Sequence, residues 1–144
     1  MQFEILLDST GEEFETIHEL LDSCGLPHSD IQTADINFLL AKSESGIHGC
    51  GAIETLTDCC LLRSVAVDEV HRGSGLGASL TRQLLAIVRE RSLGPVYLLT
   101  NDAQEYFLQF GFEIVGRDSA PPAVQNSNQF SNLCPDSAHL MRLG

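Results

Sequence analysis

The sequence predicts an α/β protein in which a mixed sheet is flanked by helices. Three observations lead to this class: strand-like apolar runs alternate with apolar stripes at helical spacing, short turns join antiparallel neighbours in the middle of the chain, and a long helix separates two later strands. The 144 residues, 43% of them hydrophobic and 19% charged, have the length and balance of one globular domain. We therefore expect a single domain over residues 1–144.

The first half of the chain predicts a strand, a helix and a three-stranded meander. Residues 3–7 have the pattern of a strand, and Thr10 and Glu13 are spaced as in a helix capping box. Apolar side chains at helical spacing continue as far as Gly25, where a glycine and a following proline end the helix. Three strands are expected next, at about residues 37–41, 47–56 and 61–67.

The second half predicts helices that alternate with strands. From about Gly75 to Gly94 the apolar spacing is that of a helix, and a loose polar segment follows Pro121. The remaining elements are short strands at 96–100, 112–115 and 138–143 and a short helix at 103–110.

The charge of the chain excludes two classes of partner. Twenty acidic residues against eight basic ones give a formal net charge of -12, which disfavours nucleic acids and anionic membranes as partners. The apolar runs are short and the first residues lack a basic region, so we expect neither a membrane span nor a signal peptide. A cytoplasmic protein is the expectation.

Five cysteines form an odd set without a CxxC pair or a histidine at the spacing of a zinc site, so no metal site is predicted. We expect reduced, mostly buried thiols. Cys59 and Cys60 point to opposite faces if they lie in a strand, and they are not expected to share one ion. An alternative stays open in which Cys134, with Cys59 or Cys60, binds a soft metal or a metalloid.

A glycine-rich turn joins the strand that ends at Val67 to the helix that begins near Gly75. Because a helix start has unpaired N–H groups and the positive end of the dipole, we expect a phosphate group there. A P-loop would need a lysine beside a serine or threonine, but the one lysine of the chain is Lys42. The dinucleotide pattern G-x-G-x-x-A fits residues 73–78, but five residues separate it from the strand.

The loop over residues 72–77, Arg-Gly-Ser-Gly-Leu-Gly, resembles the R/Q-x-x-G-x-G/A loop of the GNAT acyltransferases. It follows a strand at 62–67, as in that family, and precedes residues 103–112, which resemble the family's A-x-x-x-Y-x-x-x-G-F segment. The chain more particularly resembles the short acetyltransferases associated with arsenic-resistance operons, through residues 61–67, 96–100, 121–130 and 133–138.

The resemblance implies a GNAT fold and acetyl-CoA as cosubstrate. Amides of the loop are expected to hold the pyrophosphate, and main-chain groups of the preceding strand to bond the pantetheine arm and the thioester oxygen. The implied reaction is transfer of the acetyl group to the amine of a small, acid-bearing acceptor, by direct attack in a ternary complex. A homodimer is compatible with the resemblance. The expected cofactor-binding residues are Val65, Ala66, Val67, Arg72, Gly73, Ser74, Gly75, Leu76, Gly77 and Ala78.

Arg63 is the first candidate catalytic residue. If the strand alternates strictly, Arg63 shares a face with Val65 and Val67, and its guanidinium is expected to receive the acid group of the acceptor. The alternative is an internal salt bridge with Glu54 on the preceding strand.

Tyr106 is the second candidate. GNAT enzymes with a tyrosine as general acid place it where this chain has Phe107, so the reach of Tyr106 to the sulfur stays open. His48, His71 and His139 are interpreted as surface or packed histidines, and no cysteine or serine is paired with a histidine in the pattern of a covalent catalyst. Two other functions stay open: an acetyl-CoA sensor without activity, and a metalloid-binding protein on the same fold.

Overall fold

A computed structural model describes residues 1–6, 11, 13–32, 35–133 and 137–144. The strands are β1 (Gln2–Ile5), β2 (Ile36–Ser43), β3 (Gly46–Thr55), β4 (Cys60–Val67), β5 (Val96–Thr100), β6 (Glu113–Val115) and β7 (His139–Leu143). The helices are α1 (Glu13–Ser23), α2 (Leu76–Glu90), α3 (Gln104–Leu108) and α4 (Pro122–Gln125). The predicted mixed α/β class is confirmed. Thr10 of the expected capping box lies outside the described residues.

All of these strands form one sheet in the order β1-β2-β3-β4-β5-β7-β6. Neighbouring strands are antiparallel except for β4 and β5, which run parallel. The last strand, β7, lies between β5 and β6, so the end of the chain completes the sheet next to its one parallel pair.

The two longer helices cover opposite faces of the sheet. Side chains of α2 such as Leu80 and Leu84 are buried in one core cluster, and side chains of α1 such as Ile17 and Leu21 are buried in another. Each of these fully buried side chains contributes roughly 1.5–3 kcal/mol through removal of apolar surface from water. The apolar side chains whose spacing predicts the helices are therefore the ones that pack the helices against the sheet.

The parallel pair β4 and β5 opens along its length. β4 pairs with β5 at its first two residues, Cys60 and Leu61, and beyond them the strands diverge. Main-chain groups on that side of β4 consequently have no strand of the described residues beside them. We refer to the opening between β4 after Leu61 and β5 as the β4–β5 cleft.

A bulge interrupts β4 at the start of this cleft. Ser64 and Val65 lie opposite the single residue Gly51 of β3, and Ser64 has a left-handed φ of 58°. A Cβ atom on Gly51 would lie 2.7 Å from Cδ1 of Leu84, so glycine is what lets α2 pack closely here. The extra residue reverses the alternation of side chains along the rest of the strand.

The bulge corrects one expectation about Arg63. Val65 and Val67 pack against the core cluster under α2. Arg63 pairs with Ala52, which belongs to the cluster under α1. The expectation that Arg63 shares a face with the two valines is therefore wrong, because strict alternation does not pass through a bulge.

The segment after Pro121 is more regular than expected. It forms the short helix α4 and then a π-helical turn at Gln129–Leu133, and it covers a third apolar cluster that contains Val124 and Leu140. No helix in the described ranges is long and apolar enough to cross a membrane.

Candidate active site

Two cavities meet in the β4–β5 cleft. One, of about 280 Å³, lies on the side of α2 and is lined by Val65, Val67 and Tyr106 among others. The other, of about 260 Å³, lies under the segment that follows α1. Arg63 and Thr100 line both cavities, so the two cavities adjoin at these residues.

The start of α2 is an open anion site at the mouth of the first cavity. Gly75 precedes the helix in a left-handed conformation, and among the described residues no side chain caps the helix start. Ser79 provides the first amide after Arg72 for which a main-chain acceptor is found in the described part of the chain, the carbonyl of Gly75 at 3.0 Å. The amides from Gly73 to Ala78 are therefore available to a ligand, at the positive end of the helix dipole.

Glycine is required in this loop for two reasons. Gly73 and Gly75 have φ values of 77° and 85°, which other residues adopt at a cost of about 1–2 kcal/mol. A Cβ atom on Gly77 would lie 3.2 Å from the hydroxyl oxygen of Tyr106. The first two glycines shape the loop, and the third leaves room for the tyrosine.

Main-chain groups of Val65 and Val67 face the cleft. The amide of Cys60 donates to the carbonyl of Pro95 beside β5, and the bulge shifts the alternation so that odd-numbered residues face that side afterwards. The carbonyl of Val67 accepts a hydrogen bond from Nε of Arg72 at 3.1 Å. An extended ligand in the cleft could therefore form main-chain hydrogen bonds with β4, because an unpaired strand edge offers both N–H donors and C=O acceptors.

Arg72 connects the loop to β4 and to the segment after α1. Its guanidinium contacts the carbonyl of Val67 and, at 3.4 Å, Sγ of Cys24. Within the loop, the hydroxyl of Ser74 donates to the carbonyl of His71. The positive charge of Arg72 consequently lies over the end of β4, next to the open amides.

Tyr106 lines the first cavity next to Phe107. Its ring makes edge contacts with the rings of Phe107 and Phe110. Burial raises the pKa of Tyr106 above its usual value of 10.0, although Thr81 and the charge of Arg82 partly offset this effect. The phenol therefore stays protonated at neutral pH and can donate a hydrogen bond into the cavity.

Arg63 lies at the junction of the two cavities with a fully buried side chain. Its Nη1 and Nη2 atoms contact both carboxylate oxygens of Asp30, at 2.8 and 2.6 Å. Nη1 also donates to Glu54 at 2.8 Å, and Nε donates to the hydroxyl of Ser64 at 3.2 Å. Four of its five N–H groups are thus used inside the protein.

The internal salt bridge with Glu54, which the sequence leaves as the alternative, is present. Burial alone would raise the pKa of Asp30, but the hydrogen bond and charge of Arg63 outweigh it and hold that pKa below 3.8. One guanidinium and two carboxylates form the cluster, so its formal charge is negative. The binding of an acceptor by Arg63 stays a prediction. An acid group of the acceptor would have to displace Asp30 or Glu54 from Arg63, or bind its remaining N–H group.

Sequence reasoning missed the segment that closes the second cavity. Asp30 follows α1 in a loop, and Cys24 and Leu26 from the same region line the cavity together with Gln129 from the π-helical turn. One signal was available: an arginine in a buried strand needs more than one acceptor, and Glu54 can satisfy only part of a guanidinium.

The described cysteines are free, and three of them, Cys50, Cys59 and Cys60, are buried. Burial raises the pKa of Cys59 and raises that of Cys60 to about 12, which disfavours the thiolate that a soft metal or metalloid requires. Cys59 and Cys60 also belong to different core clusters, as expected for opposite faces. Cys134 lies outside the described residues, so the metalloid alternative stays a prediction.

The profile of the GNAT acetyltransferase domain matches residues 34–114, which is more than half of the chain. The chain belongs to this family. The matched region contains the glycine loop, the β4–β5 cleft and α3.

Individual relatives agree with this assignment. An amino-acid acetyltransferase of Mycobacterium tuberculosis is 40% identical over 70 residues, which are 47% of this chain and 40% of that protein. N-acetylglutamate synthase from Neisseria gonorrhoeae, complexed with coenzyme A and N-acetyl-glutamate, superposes with a TM-score of 0.77 at 18% identity, over 99% of this chain and 35% of that chain. Rv2747 from Mycobacterium tuberculosis, in complex with CoA and NLQ, gives a TM-score of 0.76 at 21% identity, over 97% and 98%. The chain therefore spans well under two thirds of the first two proteins.

Proposed function

We propose that the chain transfers the acetyl group of acetyl-CoA to the amine of a small acceptor. The observation that carries this proposal is the uncapped start of α2 beside the open edge of β4: together they offer amides for a diphosphate and a strand edge for an extended arm. The coenzyme A that is bound in the solved relatives supports the same cosubstrate.

Each part of the cleft has a separate task. Amides between Gly73 and Ala78 hold the diphosphate, and Arg72 adds a positive charge beside it. Main-chain groups of Val65 and Val67 hold the pantetheine arm, and an N–H group of β4 donates to the thioester oxygen as negative charge develops there. The phenol of Tyr106 lies in the same cavity and donates a proton to the departing thiolate.

The second cavity receives the acceptor. Its negative cluster of Arg63, Asp30 and Glu54 attracts an ammonium group, and the amine then faces the thioester where the two cavities adjoin. An acid group on the acceptor is bound by Arg63 through exchange with one of the two carboxylates. The similarity to an amino-acid acetyltransferase supports an amino-acid-like acceptor, and an organoarsenical amino acid is the particular acceptor that the arsenic-associated resemblance adds.

The amine attacks the thioester directly, after its ammonium form has given a proton to solvent water. The carbon–sulfur bond then breaks and the thiolate takes the proton of Tyr106, while the proton released by the new amide restores Tyr106 by way of solvent. In the described ranges no cysteine is hydrogen-bonded to a histidine, so no thiolate nucleophile prepared for an acetyl-enzyme is found there. Both substrates must then be bound at once, and initial-rate patterns should show a ternary complex and not a ping-pong sequence.

The test is release of free CoA with matched acceptors. Each amino acid in the panel is paired with the amine that lacks its carboxyl group, so the two members differ in the acid group alone. Turnover with amino acids and much weaker turnover with their partners supports both the reaction and the role of the acid group. Turnover with amines alone keeps the reaction and removes the acid group from the proposal.

A second candidate is a binding module that senses acetyl-CoA without turning it over. The specific observation in its favour is that Asp30 and Glu54, the carboxylates beside the second cavity, are ion-paired with Arg63, and an Asp30 of lowered pKa is a weak base. Tight binding of acetyl-CoA with no CoA release on any amine would favour this function over the enzyme.

A further inference from the structure

A cluster of two histidines and one aspartate lies next to the glycine loop, outside the cleft. Nδ1 of His48 is 2.9 Å from Oδ2 of Asp68, and Nδ1 of His71 is 2.7 Å from Oδ1 of the same carboxylate. The three ligand atoms lie within 4.8 Å of one another, and the two imidazole rings are 4.3 Å apart between centroids. His48 from β3 and the Asp68–His71 turn after β4 thus bring two imidazole nitrogens and one carboxylate together.

The cluster is partly buried and its first ligand is held in place. The side chain of His48 is 11% exposed, whereas those of Asp68 and His71 are about one-third exposed, so one side is open to solvent. Nε2 of His48 lies 2.5 Å from the hydroxyl of Ser43 and 3.0 Å from that of Ser45. This arrangement matches metal-binding histidines, whose second nitrogen is normally hydrogen-bonded to a polar group that orients the ring.

The serine contacts also allow the tautomer that a metal needs. A hydroxyl can either donate or accept, so Ser43 and Ser45 can accept from Nε2–H of His48 while its Nδ1 lone pair points toward Asp68. No side chain has to leave the cluster for this change. In the neutral imidazole this change moves one proton from Nδ1 to Nε2 by exchange with solvent, with no net loss of a proton.

We propose that His48, Asp68 and His71 form a binding site for a divalent transition-metal ion, with zinc as the reference ion. Two imidazole nitrogens and one carboxylate oxygen are a donor set that suits zinc and cobalt, and solvent completes a tetrahedron from the exposed side. Zinc–ligand bonds of about 2.0–2.1 Å place tetrahedral ligand atoms about 3.3 Å apart. The present separations of 2.7 and 2.9 Å require an expansion of about half an ångström.

A metal ion at this site would stabilise the turn that precedes the glycine loop. Asp68 directly follows β4, and its carboxylate also accepts from the amide of His71 at 3.0 Å, which fixes the turn before Arg72. A metal ion on His71 would hold this turn to β3, where His48 lies. Metal binding is therefore expected to change the affinity for coenzyme A, but the site itself does not depend on the reaction.

The test is zinc titration of the untagged, chelator-treated protein by calorimetry, together with its melting temperature. We expect one saturable site and a Tm that rises with zinc concentration. His71→Ala, at a position that is about one-third exposed, should weaken the Kd for zinc at least about tenfold, and so should His48→Ala. Cobalt should give the intense visible absorption of a tetrahedral ion in the wild type and lose it in both variants.

Matched controls use histidines outside the cluster. His139→Ala removes a histidine of β7, and His18→Ala breaks the separate pair that His18 forms with His28, so both should leave the zinc affinity unchanged. The proposal is overturned if the wild type shows no saturable binding, if both cluster variants keep the wild-type affinity, or if His18→Ala abolishes binding. If His48→Ala does not fold, the calorimetric and cobalt results for His71→Ala decide.

Discussion

Arg63 and Asp30 form a bidentate ion pair at the base of the β4–β5 cleft, with nitrogen–oxygen distances of 2.6 and 2.8 Å. The arginine belongs to β4 and the aspartate to the loop after α1, so the pair attaches the loop that closes the second cavity to the strand that opens the first. Glu54 contacts the same guanidinium from β3. The proposed binding of the acceptor and the stability of the fold would consequently depend on the same three side chains.

Replacement of Arg63 should be costly. Arg63→Met keeps much of the volume but leaves two partly buried carboxylates without their cation, and we expect a loss of about 3–5 kcal/mol in the free energy of unfolding. Urea denaturation measures this loss. The control is Lys42→Met, which removes more exposed ion pairs with Glu4 and Glu13 and should cost about 1 kcal/mol or less. Equal losses in the two variants would show that the buried cluster contributes no more to stability than these exposed ion pairs do.

Asp30 should make the protein sensitive to acid. Its pKa is below 3.8 in the folded state, so its ionised form stabilises the fold at every pH above 3.8. As the pH falls from about 4 through the folded pKa, Asp30 takes up a proton and this stabilisation is lost. Denaturation between pH 7 and 3 should therefore show a smaller acid-dependent loss for Asp30→Asn than for the wild type, and identical pH slopes would contradict the assignment.

The sequence predicts the fold and the glycine loop because both depend on local patterns. Apolar periodicity predicts the positions of α1, α2 and the strands. The glycines before α2 indicate a turn, and the structure has left-handed φ values there at Gly73 and Gly75. The surroundings of the second cavity could not be predicted in this way. The bulge at Ser64 and the approach of Asp30 arise from tertiary packing, and neither leaves a periodic signal in the chain.

The loop conformation should be required for cosubstrate binding. Gly75→Ala forces a side chain into a φ of 85° and disturbs the amides at the start of α2, so we expect the Kd for acetyl-CoA to rise at least about tenfold. Gly46→Ala is the matched control, because it strains another positive-φ glycine, the first residue of β3. It should lower stability and leave the Kd unchanged. Equal effects on the Kd would mean that the loop acts through stability alone.

A catalytic role of Tyr106 can be distinguished from a packing role by comparing its substitution with that of Tyr97, the other tyrosine of the chain. If Tyr106 protonates the leaving thiolate, Tyr106→Phe should lower kcat about 100-fold and leave the KM for acetyl-CoA within about a factor of two. Because burial raises its pKa above 10.0, no loss of activity from its ionisation is expected below pH 10. Tyr97→Phe, in the buried part of β5, should retain kcat. An unchanged kcat in Tyr106→Phe would assign the proton to water.

The account depends most on where the diphosphate of the cosubstrate binds. A crystal structure of the chain with acetyl-CoA measures this directly. We predict diphosphate oxygens at about 3 Å from main-chain nitrogens between Gly73 and Ala78, with the pantetheine arm along β4 beside Val65 and Val67. A complex in which these amides contact solvent, while the nucleotide and its diphosphate are bound on another surface, would contradict the account.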